Sequence, residues 1–119
     1  MPIRVFVCDD AADHRALVRA VLADQPDLEV VGEAIDGATC LTGLALARAD
    51  VLVLDLQMPG KDGWYVLDEL AGRTDAPRVL VVSSNAGAAE RVRAAGAEFL
   101  TKGAPVEALR AAIRLLGSS

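Results

Sequence analysis

Val51-Leu52-Val53-Leu54-Asp55-Leu56-Gln57-Met58-Pro59-Gly60 decides the fold: four aliphatic residues run without a break into a carboxylate, and a Pro-Gly pair ends the segment. A short, continuously apolar run closed by a turn signal reads as a strand buried on both faces, the kind found in the middle of a parallel sheet. Three other runs repeat the arrangement. Ile3 to Cys8 leads into Asp9 and Asp10, Val79 to Val82 into Ser83, and Phe99 to Thr101 into Lys102. In an open parallel sheet, ligands bind outside the carboxyl ends of the strands. Three carboxylates, one hydroxyl and one ammonium are therefore expected to share one crevice.

Working outward from that strand, extended and helical patterns alternate, five of each, as in a parallel sheet covered on both faces. The expected strands are 3–8, 28–32, 51–55, 78–83 and 98–101. A helix over 12–24 carries Leu17, Val18, Val21 and Leu22 on one stripe and is stopped by Pro26. Asp36 caps a second helix that runs through Cys40, Leu41, Leu44 and Leu46 to about Arg48, with Gly37 and Gly43 as weak points. A third starts near Asp62 with Val66, Leu67 and Leu70 facing inward. The fourth, 86–95, is short and alanine-rich, and the fifth runs from Pro105 to about Leu116.

Composition agrees with one compact unit. The 119 residues are 53% hydrophobic but only 3% aromatic, so the core must be aliphatic. A formal charge of -5 and the lack of any basic stripe argue against a nucleic-acid surface, which needs clustered Lys and Arg. The apolar runs fall far short of the ~20 residues of a membrane span, and no signal-peptide h-region precedes the first strand. Two cysteines, Cys8 and Cys40, fit a reducing compartment better than a disulfide framework, and the cytoplasm is the expected location. Cys8 sits beside the acidic pair, where a thiolate is disfavoured, and reads as a buried strand residue.

Two carboxylates about 4 Å apart repel by roughly 4 kcal/mol at an effective dielectric near 20, and a third adds to this. Such a cluster calls for a cation. Mg²⁺, small, hard and held by one or two carboxylates together with waters and a phosphate oxygen, suits acids presented at strand ends. Phosphoryl chemistry follows, with Lys102 as a point charge and Ser83 as a hydroxyl donor to phosphate oxygens.

Four motifs together carry a family resemblance: Val7-Cys8-Asp9-Asp10, Leu52 to Gly60, Val81-Val82-Ser83-Ser84, and Phe99-Leu100-Thr101-Lys102. In this order, each at the end of an expected strand, they resemble the receiver domain of bacterial two-component response regulators over essentially the whole chain. The resemblance implies a flavodoxin-like three-layer α/β sandwich, with a five-stranded parallel sheet in the order 2-1-3-4-5 and five helices. It also implies one receiver domain over 1–119, either standing alone or forming the front of a longer regulator.

Carried over residue by residue, the resemblance makes Asp55 the phosphoacceptor. Asp55 would attack a phosphohistidine on a sensor histidine kinase or phosphotransfer protein, in a switch that catalyses its own phosphorylation and dephosphorylation rather than in a conventional enzyme. Asp10 and Asp55 would hold Mg²⁺ through their side chains, Gln57 through its backbone carbonyl, and Asp9 mainly through a metal-bound water. Lys102 would pair with the phosphoryl group. Ser83, rather than the neighbouring Ser84, matches the switch hydroxyl, and Phe99 the aromatic whose inward or outward rotamer reports switching. A homodimer through the fourth helix, fifth strand and fifth helix is implied as well. The stretch from Pro26 to Ala34 resembles receivers attached to helix-turn-helix domains or to chemotaxis methylesterases.

Plainer readings stand beside these. Asp9-Asp10 alone would pass for a solvated strand end, and Phe99 for core packing. His14, the only histidine, is expected to face solvent, and Trp64 to be either edge packing or a partner surface. Two features depart from the family: Gly103 follows Lys102 where many receivers have a cis-proline, and the segment from Ser83 to Lys102 is about three residues short, which should trim the fourth helix. Two rivals complete the field. One is a dehalogenase-type enzyme, whose second Asp is replaced here by Gln57. The other is a pseudo-receiver that acts without phosphorylation.

Overall fold

The computed structural model describes residues 1–118. Its five strands are β1 (Ile3–Cys8), β2 (Leu28–Ala34), β3 (Val51–Leu54), β4 (Arg78–Ser83) and β5 (Glu98–Thr101). They form one parallel sheet in the order β2-β1-β3-β4-β5. The helices that return the chain between them are α1 (Ala12–Ala23), α2 (Gly37–Ala47), α3 (Gly63–Leu70), α4 (Ala89–Ala94) and α5 (Val106–Gly117). Two boundaries depart from the expectation by more than one residue. β2 continues two residues past Gly32, because its pairing with β1 runs on to Cys8 and Ala34 after an irregularity at Val5/Phe6. The expected fourth helix begins as a 3-10 turn over Ala86–Ala88 and retains only six α-helical residues, as the shortened segment implied.

Strict alternation along the strands sorts the core into two layers. Val5, Val7, Val51, Val53, Leu80 and Val82 face α1 and α5, where Val18, Leu22, Leu109 and Ile113 complete the layer. Phe6, Cys8, Leu52, Leu54, Val79 and Val81 face α2, α3 and α4, meeting Cys40, Leu44, Val66, Leu67 and Val92. Each fully buried Leu or Ile here contributes about 1.5–3 kcal/mol relative to exposure. Cys8 and Cys40 are free thiols inside this second layer. Trp64 is partly buried against the same layer, with the Arg91 guanidinium 3.8 Å over its ring, so it is edge packing here.

Caps place the helices that flank the crevice. Asp36 accepts the Thr39 N–H at 2.9 Å and Asp62 accepts the Tyr65 N–H at 3.1 Å, each satisfying a donor that the first turn leaves open. Among the described residues no helix is long and apolar enough to cross a membrane.

Candidate functional site

The strand ladder runs one residue beyond the ends of three strands. Asp9 N–H donates to Ala34 O (3.1 Å), Asp55 N–H to Cys8 O (2.9 Å) and Lys102 N–H to Ser83 O (3.1 Å). Because Cys8 pairs with Leu54, Asp9 and Asp55 leave adjacent central strands at the same level. Both continue the alternation of the layer facing α1 and α5, as does Lys102 after Leu100. Rigid backbone thus delivers all three side chains to one rim.

There they meet. Carboxylate oxygens of Asp9, Asp10 and Asp55 all lie within 4.8 Å of one another. Lys102 Nζ lies 3.2 Å from Asp9 Oδ2 and 3.5 Å from Asp55 Oδ2. Asp55 is buried, and its Oδ1 accepts the Leu56 N–H at 2.9 Å, while Asp10 is exposed. Beside Asp10 an open cleft of about 600 Å³ is lined by Gln57, Met58, Pro59, Asp62 and Trp64.

The two buried acids are driven in opposite directions. Burial raises the pKa of Asp55, the charge of Asp9 raises it further, and Lys102 and backbone N–H groups only partly oppose this. Burial also pushes Asp9 upward, but hydrogen bonds from His14, Ala11 N–H and Lys102 outweigh it and hold the carboxyl below its usual range. Burial lowers Lys102, and the two acids more than reverse that, so its ammonium is secure. One ammonium against three carboxylates leaves the site net negative. Its donors are all hard oxygens, which fits a small divalent cation such as Mg²⁺.

Ser83 is buried and its neighbour Ser84 is exposed. Ser83 continues the alternation of Val79 and Val81, away from the Lys102 layer, and its Oγ accepts the Asn85 N–H at 3.1 Å. That bond uses an oxygen lone pair and leaves the O–H to donate elsewhere. Phe99 is buried in the layer facing α4, packed inward. The acids and the lysine therefore form one constellation, with Ser83 and Phe99 on the opposite side of the sheet end.

His14 corrects the expectation of a solvent-facing residue. Its side chain is 13% exposed and its Nδ1 lies 2.6 Å from Asp9 Oδ2. The position was hard to read because helical side chains lean back toward the N-terminus, which carries a residue in the first turn of α1 over the end of β1. Arg15 was likewise missed. It donates to the Asp9 backbone oxygen at 2.8 Å and pairs with Glu33 at 3.2 Å, tying the acidic loop to β2.

The family model for the response regulator receiver domain matches residues 5–114. The chain belongs to that family. A protein-glutamate methylesterase/protein-glutamine glutaminase from Myxococcus xanthus is 54% identical to this receiver over 83 residues, 70% of the chain and 24% of that protein. A protein of the same description from Moorella thermoacetica is 38% identical over 112 residues, 91% of the chain and 26% of that protein. The receiver spans about a quarter of the length of these relatives. The response regulator domain of Thermotoga maritima CheB superposes with a TM-score of 0.88 at 30% identity, covering 100% of this chain and 98% of that one. The NarL signal receiver domain of Mycobacterium tuberculosis gives 0.90 at 30% identity, covering 99% and 98%. Where many receivers have the cis-proline turn, this one has none: among the described residues every peptide bond is trans, Lys102-Gly103 included.

Proposed function

We propose that this receiver takes a phosphoryl group onto Asp55 from a histidine kinase or phosphotransfer protein. The observation that carries the reading is the convergence of buried Asp55 with Lys102, Asp9 and Asp10 at one sheet rim. A carboxylate Oδ of Asp55 attacks phosphorus, the P–N bond to the donor imidazole breaks, and the imidazole nitrogen keeps the electron pair. Lys102, already 3.5 Å from Asp55 Oδ2, follows the charge onto the phosphoryl oxygens. Asp10 and Asp55 side chains, the Gln57 carbonyl and, through water, Asp9 are the groups that would hold Mg²⁺. When bound, the ion supplies charge neutralisation to the phosphoryl oxygens.

The new negative charge then gives Ser83 and Lys102 a common target. Ser83 exchanges its place beside Asn85 for a phosphoryl oxygen, and the room it vacates bears on Phe99 in the same layer. Differential contacts of this kind are what a population shift requires. A tenfold shift needs about 1.4 kcal/mol.

A phosphodonor partner is supported by the notch between α1 and α5, where exposed Leu17 and Val106 flank Lys102. We infer one receiver unit over 1–119, serving alone or within a longer cytoplasmic regulator; the methylesterase relatives support an output of that chemistry. A phosphorylation-dependent homodimer through α4, β5 and α5 is tested by gel filtration before and after phosphorylation, where an unchanged monomer removes it.

The decisive experiment is incubation with acetyl phosphate and Mg²⁺ followed by intact mass. The expected result is one added phosphoryl group in the wild type and none in Asp55→Asn. An unchanged wild-type mass would leave the pseudo-receiver in its place.

A further inference from the structure

We infer that His14 is a positioning residue for the divalent-cation site, holding the Asp9 carboxylate in place through an Nδ1–H to Oδ2 hydrogen bond. The inference deepens the proposed function and rests on its reading that Asp9, Asp10 and Asp55 hold a divalent ion. The geometry dictates the tautomer. At 2.6 Å, an unprotonated Nδ1 and a carboxylate oxygen would be two acceptors pressed together, and both atoms are closed off from water. A proton on Nδ1 turns that repulsion into a charge-assisted hydrogen bond and satisfies both buried atoms at once.

The rest of the Asp9 surroundings shows how little freedom the carboxylate retains. Oδ1 accepts the Ala11 N–H at 2.9 Å, and Oδ2 has Lys102 Nζ at 3.2 Å besides His14. The backbone oxygen of Asp9 is held by Arg15 at 2.8 Å. Lys102 is shared with Asp55 and, in the proposed reaction, shifts toward the phosphoryl oxygens. His14 is the side-chain partner of Oδ2 with no second carboxylate to serve among the contacts described. It fixes the plane of Asp9 whether Lys102 stays or moves. Partners of this kind, one bond removed from an ion, orient the ligands that meet it.

Trp64 lines the cleft beside Asp10 and is the only tryptophan, so its fluorescence reports Mg²⁺ titration independently of phosphorylation. His14→Phe keeps a ring and loses the donor; His14→Asn keeps a side-chain N–H at about the reach of Nδ1. Expected are a Mg²⁺ dissociation constant about tenfold weaker in His14→Phe, the scale at which outer partners act, and substantial recovery in His14→Asn. His14→Leu gives a second donor-free variant where the Phe ring disturbs packing. The ¹⁵N spectrum of the wild type should show the His14 proton on Nδ1. Wild-type affinity in both donor-free variants, or a proton on Nε2 alone, would overturn the inference while leaving the cation site standing. No saturable Mg²⁺ response in the wild type would remove the cation site, and the inference with it.

Discussion

Lys102 Nζ stands between two buried carboxylates, 3.2 Å from Asp9 Oδ2 and 3.5 Å from Asp55 Oδ2. A single ammonium thereby does part of the work of a cation when no ion is present. Lys102→Met should leave both acids without it. With Lys102 about a quarter exposed, water screens some of the loss, and a destabilisation of about 1–2 kcal/mol in EDTA is expected. Mg²⁺ should then raise the melting temperature of the variant more than that of the wild type. Equal shifts in the two proteins would contradict this account.

The opposed shifts of Asp9 and Asp55 give metal-free stability a distinctive pH profile. The lowered pKa of Asp9 contributes stability that is present above the usual carboxylate range and lost as pH falls through its folded value. The raised pKa of Asp55 acts the other way: the folded state binds its proton more tightly than the unfolded chain, so the penalty grows as pH rises through the folded value and is relieved on acidification. From these two groups, stability in EDTA should pass through a maximum near the ordinary carboxylate pKa, at about pH 4. Asp55→Asn should be more stable than wild type at neutral pH, by about 1 kcal/mol, with the difference vanishing toward pH 4. Urea midpoints of both proteins across this range check the sign, and a wild type that is more stable at neutral pH would refute it.

Gly63 is the point at which α3 touches the backbone of the proposed phosphoacceptor. A Cβ there would lie 2.3 Å from Asp55 O and 2.7 Å from Leu56 Cα, and neither is a flexible side chain that can step aside. Gly63→Ala should therefore cost about 1–3 kcal/mol and slow acetyl phosphate labelling by displacing Asp55. Gly60 provides the control. Its φ of 67° strains any L-residue, but nothing stands within 4 Å of its Cβ position, so Gly60→Ala should cost about 1 kcal/mol of backbone strain and leave labelling rates nearly unchanged.

The acid-lysine rim was legible because it depends on strand ends, and a strand end is written in consecutive residues: Leu54 into Asp55, Cys8 into Asp9, Thr101 into Lys102. The sheet order came only from the family resemblance that these motifs carry. What strand alternation and packing decide was less legible. The opposite faces taken by Ser83 and Lys102 follow from strand parity, and the burial of His14 follows from the backward lean of helical side chains. Gly43 shows the same limit. As a residue it reads as a weak point in a helix, whereas its purpose is visible only once β1, β2 and α2 are assembled around Phe6.

The Phe6 ring is clasped by two glycines. A Cβ on Gly32 would lie 2.6 Å from Phe6 Cε2, and one on Gly43 2.6 Å from Phe6 Cζ, so β2 closes one side of the ring and α2 the other. Helix propensity alone favours alanine at position 43 by about 1 kcal/mol. Overpacking against a ring that cannot retreat costs about 1–3 kcal/mol and should win. Gly43→Ala is thus expected to lower the urea midpoint despite improving the helix. Phe6→Leu vacates the disputed space, so in that background Gly43→Ala should become neutral or stabilising, a coupling of at least 0.5 kcal/mol on the scale seen for residues in contact. Additive effects in the double-mutant cycle would mean that the ring and the helix do not compete.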